Sequence, residues 1–103
     1  MKNRKHGLHG KLKAKAGQGE ALAKILLEAA ELMKRAPGCE LYVVSLDARI
    51  PDEVWITEIW DNENSHDESL NINGVRALIG QAMPLLDGSP EGGQKLVVLG
   101  GHS

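Results

Sequence analysis

Apolar and polar residues change rhythm several times along the chain, and each change marks a new element. From His6 to Ala14 they alternate, with Leu8, Gly10, Leu12 and Ala14 on one face and His9, Lys11 and Lys13 on the other, the two-residue period of a strand. Ala16-Gly17-Gln18-Gly19 breaks that period. Leu22, Ile25, Leu26, Ala29, Leu32 and Met33 then recur at three and four residues, the stripe of an amphipathic helix, with Lys34 and Arg35 at its C-terminal end and Pro37-Gly38 as its stop. Two runs rich in β-branched and aromatic residues, Leu41 to Leu46 and Val54 to Trp60, flank the turn-rich Asp47 to Asp52 and predict an antiparallel hairpin.

Ser65 stands three residues before Glu68, the spacing of a capping box, which predicts a helix from about Ser65 with His66 in its first turn. Asn73-Gly74 interrupts it before a second stripe of Val75, Leu78, Ile79, Ala82 and Met83, and Pro84 marks a kink or an end. Asp87 to Gly93 reads as loop, Lys95 to Leu99 as the last strand and Gly100 to Ser103 as a tail. The order β-α-β-β-α-β, with the second helix in pieces, is the ferredoxin-like split arrangement, an α+β fold with helices on one face of an antiparallel sheet. The other face should be polar if it met water. Instead Tyr42, Val44 and Leu46 oppose Leu41 and Val43 on one strand, and Leu96 and Val98 oppose Val97 and Leu99 on another. Both faces are apolar, so a second copy of the chain is expected to cover the helix-free one, as a homodimer with its sheets face to face.

The 103 residues fit one domain spanning 1–103, with residues 1–5 as a flexible N-terminal tail. Apolar residues are 42% and charged ones 25%, as in a soluble globular protein; Phe is absent, so the core must be aliphatic and each of Trp55, Trp60 and Tyr42 needs a reason. The net charge of −2 and a basic cluster, Lys2 to Lys5, with no aromatic residues interleaved give no reason to expect nucleic acid as a partner. No apolar run is long enough for a membrane span. Cys39 is the single cysteine, which rules out an intramolecular disulfide and suits a reducing, cytoplasmic setting.

A few residues could carry chemistry. Trp60 closes a strand before a loop, where a large ring can wall a pocket or simply fill the core. Glu58, two residues earlier, shares its face and is expected either to anchor a cation such as Arg76 or to be a pocket acid with a raised pKa. His66 is the candidate base; near a helix start, the positive dipole end would favour its neutral form. Tyr42 can offer a hydroxyl to a cavity, and Asn71 an amide; both could equally be structural. His6 and His9 point to opposite faces, so they make no metal pair. Gly17-x-Gly19 lacks the rest of a phosphate-binding loop, and no metal, flavin or dinucleotide site is implied.

The order of elements, Pro37-Gly38-Cys39 before the hairpin, Glu58-x-Trp60 closing it and the Ser65-His66-Asp67-Glu68-Ser69-Leu70 helix after it resemble the antibiotic biosynthesis monooxygenase domain, and within it the small quinol monooxygenases. The resemblance covers nearly the whole chain. It implies a dimeric α+β barrel and a cofactor-free monooxygenase, in which a phenol or hydroquinone is deprotonated and its anion reduces O₂. His66 would be the base, Trp60 the cavity wall and Tyr42 a donor. Relatives that degrade haem use an Asn and a His where this chain has Gly10 and Leu70, so haem chemistry is not expected. The competing expectation is a non-catalytic dimeric module that binds a small hydrophobic molecule, or a stress-related protein without the activity.

Overall fold

The computed structural model describes residues 4–90 and 92–102. Its elements run β1 (Lys5–Lys13), α1 (Gly19–Met33), β2 (Cys39–Leu46), β3 (Glu53–Trp60), α2 (Glu63–Ser69), α3 (Val75–Ala82), a 3-10 turn (Met83–Leu85) and β4 (Gln94–Val98). The strands form one antiparallel sheet in the order β2-β3-β1-β4, the ferredoxin-like topology that the pattern predicts. Lys5 opens β1 and bonds Glu40, so the expected tail does not reach it, and residues 1–3 lie outside the described residues. Among the described residues, no helix is long and apolar enough to cross a membrane.

Register decides which side chains meet. Cys39, Trp60, His6 and Val97 lie in one row across the sheet, and Tyr42, Glu58, Leu8 and Lys95 in the next, all on the helix side. Trp55 pairs with Lys11 and Ser45 on the opposite face, where its ring stacks on His9 at 5.1 Å. That face also carries Leu41, Val43, Ile59, Leu96 and Val98, with Val43 and Leu96 exposed. The helices pack over β2 and β3, which leaves Val97 of β4 exposed on the helix side as well.

α1 is capped from across the chain. Gln18 at its N-cap makes no side-chain bond; the Asp52 carboxylate accepts from the N–H groups of Gly17 (3.0 Å) and Gly19 (2.9 Å) instead. This satisfies two otherwise unpaired donors and ties the hairpin turn to the helix start. Close packing requires Gly19, because a Cβ there would collide with the Pro51 carbonyl.

The expected capping box is not formed. α2 begins at Glu63, and Asn62 is its cap, accepting from the Ser65 N–H at 2.9 Å. His66 therefore sits in the last turn of a seven-residue helix, and the expected help from the positive dipole end does not apply.

The core has two parts. Ala14, Leu22, Ala23, Leu26, Val54, Ala82 and Leu86 form one buried cluster; Met33, Ala36, Trp60 and Val75 form the other, with Tyr42 and Cys39 packed against it.

Candidate active site

Between the two clusters lies a cavity of about 250 Å³. Leu26 and Met33 of α1, Val75 and Ala82 of α3, and Leu12 and Leu86 give it apolar walls. Its polar lining is concentrated in Tyr42 of β2, Glu58 of β3, and His66 and Ser69 of α2. Leu70, Ile79 and Met83 also line it and are exposed, so its mouth is apolar. A second recess of about 320 Å³ opens toward β4 beside Gly92, Gly93 and Lys95, and it shares Leu12, Glu58 and His66 with the first.

Trp60 is not part of the lining. It is fully buried beneath the site, where its indole Nε1–H donates to Glu58 Oε1 at 2.9 Å and its ring meets His66 edge-on at 5.7 Å. The expected wall thus lies beneath the lining, in contact with two of its groups. The expected pairing of Glu58 with Arg76 does not occur either. Arg76 follows buried Val75 on α3, points outward and donates to Asn71 Oδ1 at 3.2 Å. Both residues are exposed and neither lines the cavity.

Burial pushes the Glu58 pKa above the ordinary carboxylate value, and the Trp60 hydrogen bond, then His66 and His6, hold it partly back. Burial, followed by the Glu58 charge, also drives the Tyr42 phenol well above its usual range, so the hydroxyl keeps its proton as a donor. The Cys39 thiol is raised mainly by burial, which does not suit a nucleophile. His66 Nδ1 lies 3.1 Å from Asp67 Oδ1. With Nδ1–H donating there, Nε2 carries the lone pair and is the nitrogen able to take a proton.

Two neighbours were not among the expected site residues. Ser69 is buried and donates its hydroxyl to the His66 carbonyl at 2.5 Å, fixing the turn that carries the imidazole. It stands three residues past His66, a spacing at which a serine hydroxyl can reach back to a helical carbonyl, and that local signal is open to sequence reading. His6 lies across from Trp60, with its ring 6.1 Å from that of His66. Only the strand register reveals it. Among the described residues, no group of three or more His, Cys, Asp or Glu side chains is placed to hold a metal ion.

The architecture is that of a ferredoxin-like α+β domain with acid-base groups at one end of an apolar cavity. The chain belongs to the antibiotic biosynthesis monooxygenase family, whose signature matches residues 6–80. A crystal structure of a candidate antibiotic biosynthesis monooxygenase from Chloroflexus aurantiacus J-10-fl is 41% identical, with 96% of this chain and 97% of that one covered at a TM-score of 0.85. A protein of unknown function from Nitrosomonas europaea is 26% identical over 100% of this chain and 97% of its own, at a TM-score of 0.81. A further candidate of the same name from Caulobacter crescentus CB15 shares the fold at 17% identity and a TM-score of 0.84, with 96% and 93% covered. No curated protein matches the chain.

Proposed function

We propose that the domain is a cofactor-independent monooxygenase, acting as a cytoplasmic homodimer on a phenolic or hydroquinone-type aromatic substrate with O₂. The observation that carries this reading is the convergence of Tyr42, Glu58 and His66 at one end of a cavity whose other walls are aliphatic. Family membership and the monooxygenase name of the 41% identical relative support the reaction class. The apolar helix-free face supports the dimer.

The chemistry follows from the groups present. An aromatic ring suits the aliphatic walls, and its hydroxyl would face the polar end. His66 Nε2 takes the phenolic proton, and the electron-rich anion then reduces O₂ and combines with it at a ring carbon to form a peroxide anion. The protonated His66 returns a proton to give the hydroperoxide. Loss of the proton on that carbon breaks the O–O bond, leaving a carbonyl and releasing hydroxide, which leaves as water. A hydroquinone thus gives up four electrons and becomes a hydroxylated quinone, with one oxygen atom in the product and one in water. Tyr42 donates to the developing oxyanion, and the dry walls strengthen that interaction.

The test is oxygen uptake over a panel of hydroquinones and polycyclic phenols without added cofactor. Uptake that rises with pH as an imidazole loses its proton, and that falls at least about a hundredfold in His66→Gln with little change in KM, is the expected result. A flat pH profile with a variant rate within a few-fold of wild type removes His66 from the mechanism. Activity that appears only with added flavin, haem or metal overturns the reading.

A further inference from the structure

The main cavity changes character along its length. Tyr42, Glu58, His66 and Ser69 lie at one end, and every other side chain on its wall is apolar. The change continues past the opening. Leu70, just after α2, Ile79 of α3 and Met83 at the end of α3 are 42%, 45% and 49% exposed, although all three also line the cavity. Ile79 and Met83 stand four residues apart, one above the other on the same side of the helix, so they form a strip. Water covers such a strip at a cost, and where it leads out of an apolar cavity the apolar part of a ligand can lie on it.

Size points the same way. A cavity of about 150 Å³ takes one benzene-sized ring, and each further carbon needs about the 30 Å³ of a water molecule. A cavity of about 250 Å³ therefore holds one ring and roughly three carbons more, and a bare phenol leaves it part-filled. The polar end sets the head group. A hydroxyl can donate to Glu58 or to His66 Nε2 while it accepts from the Tyr42 hydroxyl. A carboxylate would bring a second negative charge beside Glu58, and among the described residues no Lys or Arg lines the cavity.

We infer that the site takes a phenol or hydroquinone with an unbranched aliphatic chain, its hydroxyl at the polar end and its chain leaving the cavity over Leu70, Ile79 and Met83. Ile79 and Met83 are then specificity-determining residues that select for chain length and touch none of the reacting atoms. This rests on the phenolic head lying at the polar end, as in the proposed reaction, but binding alone tests it and no turnover is needed.

Anaerobic calorimetric titration of the full chain at pH 8, with 4-alkylphenols from methyl to hexyl, reads the effect. The dissociation constant should fall about fourfold for each carbon up to propyl, and about twofold for each from there to hexyl, where one side of the chain stays in water. The double substitution Ile79→Gln and Met83→Gln should leave 4-propylphenol within about twofold of wild type, which also shows that the variant is folded, and should remove most of the gain from propyl to hexyl. Leu27→Gln, at an exposed leucine of α1 outside the cavity lining, should change neither. 4-Hexylbenzoate, with the same ring and chain but a charged head, should bind at least about tenfold more weakly than 4-hexylphenol. No gain with chain length, a gain that survives the double substitution, an equal loss in Leu27→Gln, or equal binding of the benzoate would each overturn the inference. If the double variant does not fold, the wild-type chain series and the benzoate decide. Where oxygen uptake is found, a longer chain on the hydroquinone should lower KM and leave kcat little changed. Chain-dependent binding without uptake would sink the proposed reaction alone, and uptake with binding blind to the chain would sink this inference alone.

Discussion

Replacing Trp60 with Phe separates what the indole does as a packed ring from what it does as a donor. The side chain is fully buried, and its Nε1–H meets the half-buried Glu58 carboxylate at 2.9 Å. Three ring atoms are lost, a change comparable to a modest large-to-small substitution, at about 1–2 kcal/mol. A hydrogen bond ending on a charged group contributes about 1.5–3 kcal/mol more. The two parts differ in pH dependence. Burial holds the folded-state Glu58 pKa above its ordinary value, so the folded chain takes up a proton there before the unfolded one does, and stability is lost as pH rises through that window. The Trp60 donor opposes the loss, and without it the carboxyl is raised further. The variant should therefore lose only the packing part below the ordinary carboxylate value and both parts above the folded-state value. Urea unfolding of the two proteins at one concentration, at about pH 4 and pH 8, measures this. A deficit equal at both pH values would refute the role of the donor, and a total below about 1 kcal/mol at pH 8 would refute the burial argument as well.

Other outcomes follow from the same geometry. Light scattering at micromolar concentration should give twice the 11.1 kDa chain mass, since a monomer would leave the sheet's apolar face bare to water. Trp60→Ala should weaken substrate turnover or binding more than Trp55→Ala, because Trp55 lies on the opposite face; equal losses with dimer stability unchanged would show that Trp60 does not support the site. Gly38→Ala should destabilise by about 1–3 kcal/mol, measured by thermal unfolding, because the residue has φ +86° and an added Cβ would press on the Asp61 carboxylate.

Element types were legible because they depend on local period. The alternation around Leu8 to Leu12 and the stripe from Leu22 to Met33 mark their elements whatever surrounds them. The face of each strand residue follows from parity as well, which is how Glu58 and Trp60 are placed together and Trp55 apart. Depth is a different matter: parity puts Trp60 on the helix side but does not say that it is fully buried and outside the cavity lining. The start of α2 was ambiguous because Asn62 and Ser65 are both good caps, and the structure uses Asn62. Arg76 follows Val75 on a helix whose phase is set by tertiary packing, so its distance from Glu58 was not readable. The pairing of His6 with His66 needs the β1–β3 register and the position of α2 together, neither of which is local.

The division of the core into two clusters makes the helical layer less cooperative than its length suggests. α1 belongs to both, with Leu22, Ala23 and Leu26 in one and Met33 in the other, and the cavity lies between them. Its two ends can loosen separately when nothing spans the gap, and amide exchange would then differ along a single helix. A ring seated in the cavity would touch both clusters and couple their opening. At a hundred times its dissociation constant such an occupant adds about 2.7 kcal/mol to the folded state. Binding at this site would therefore be felt along the whole of α1, not just at the polar groups that line one end of the cavity.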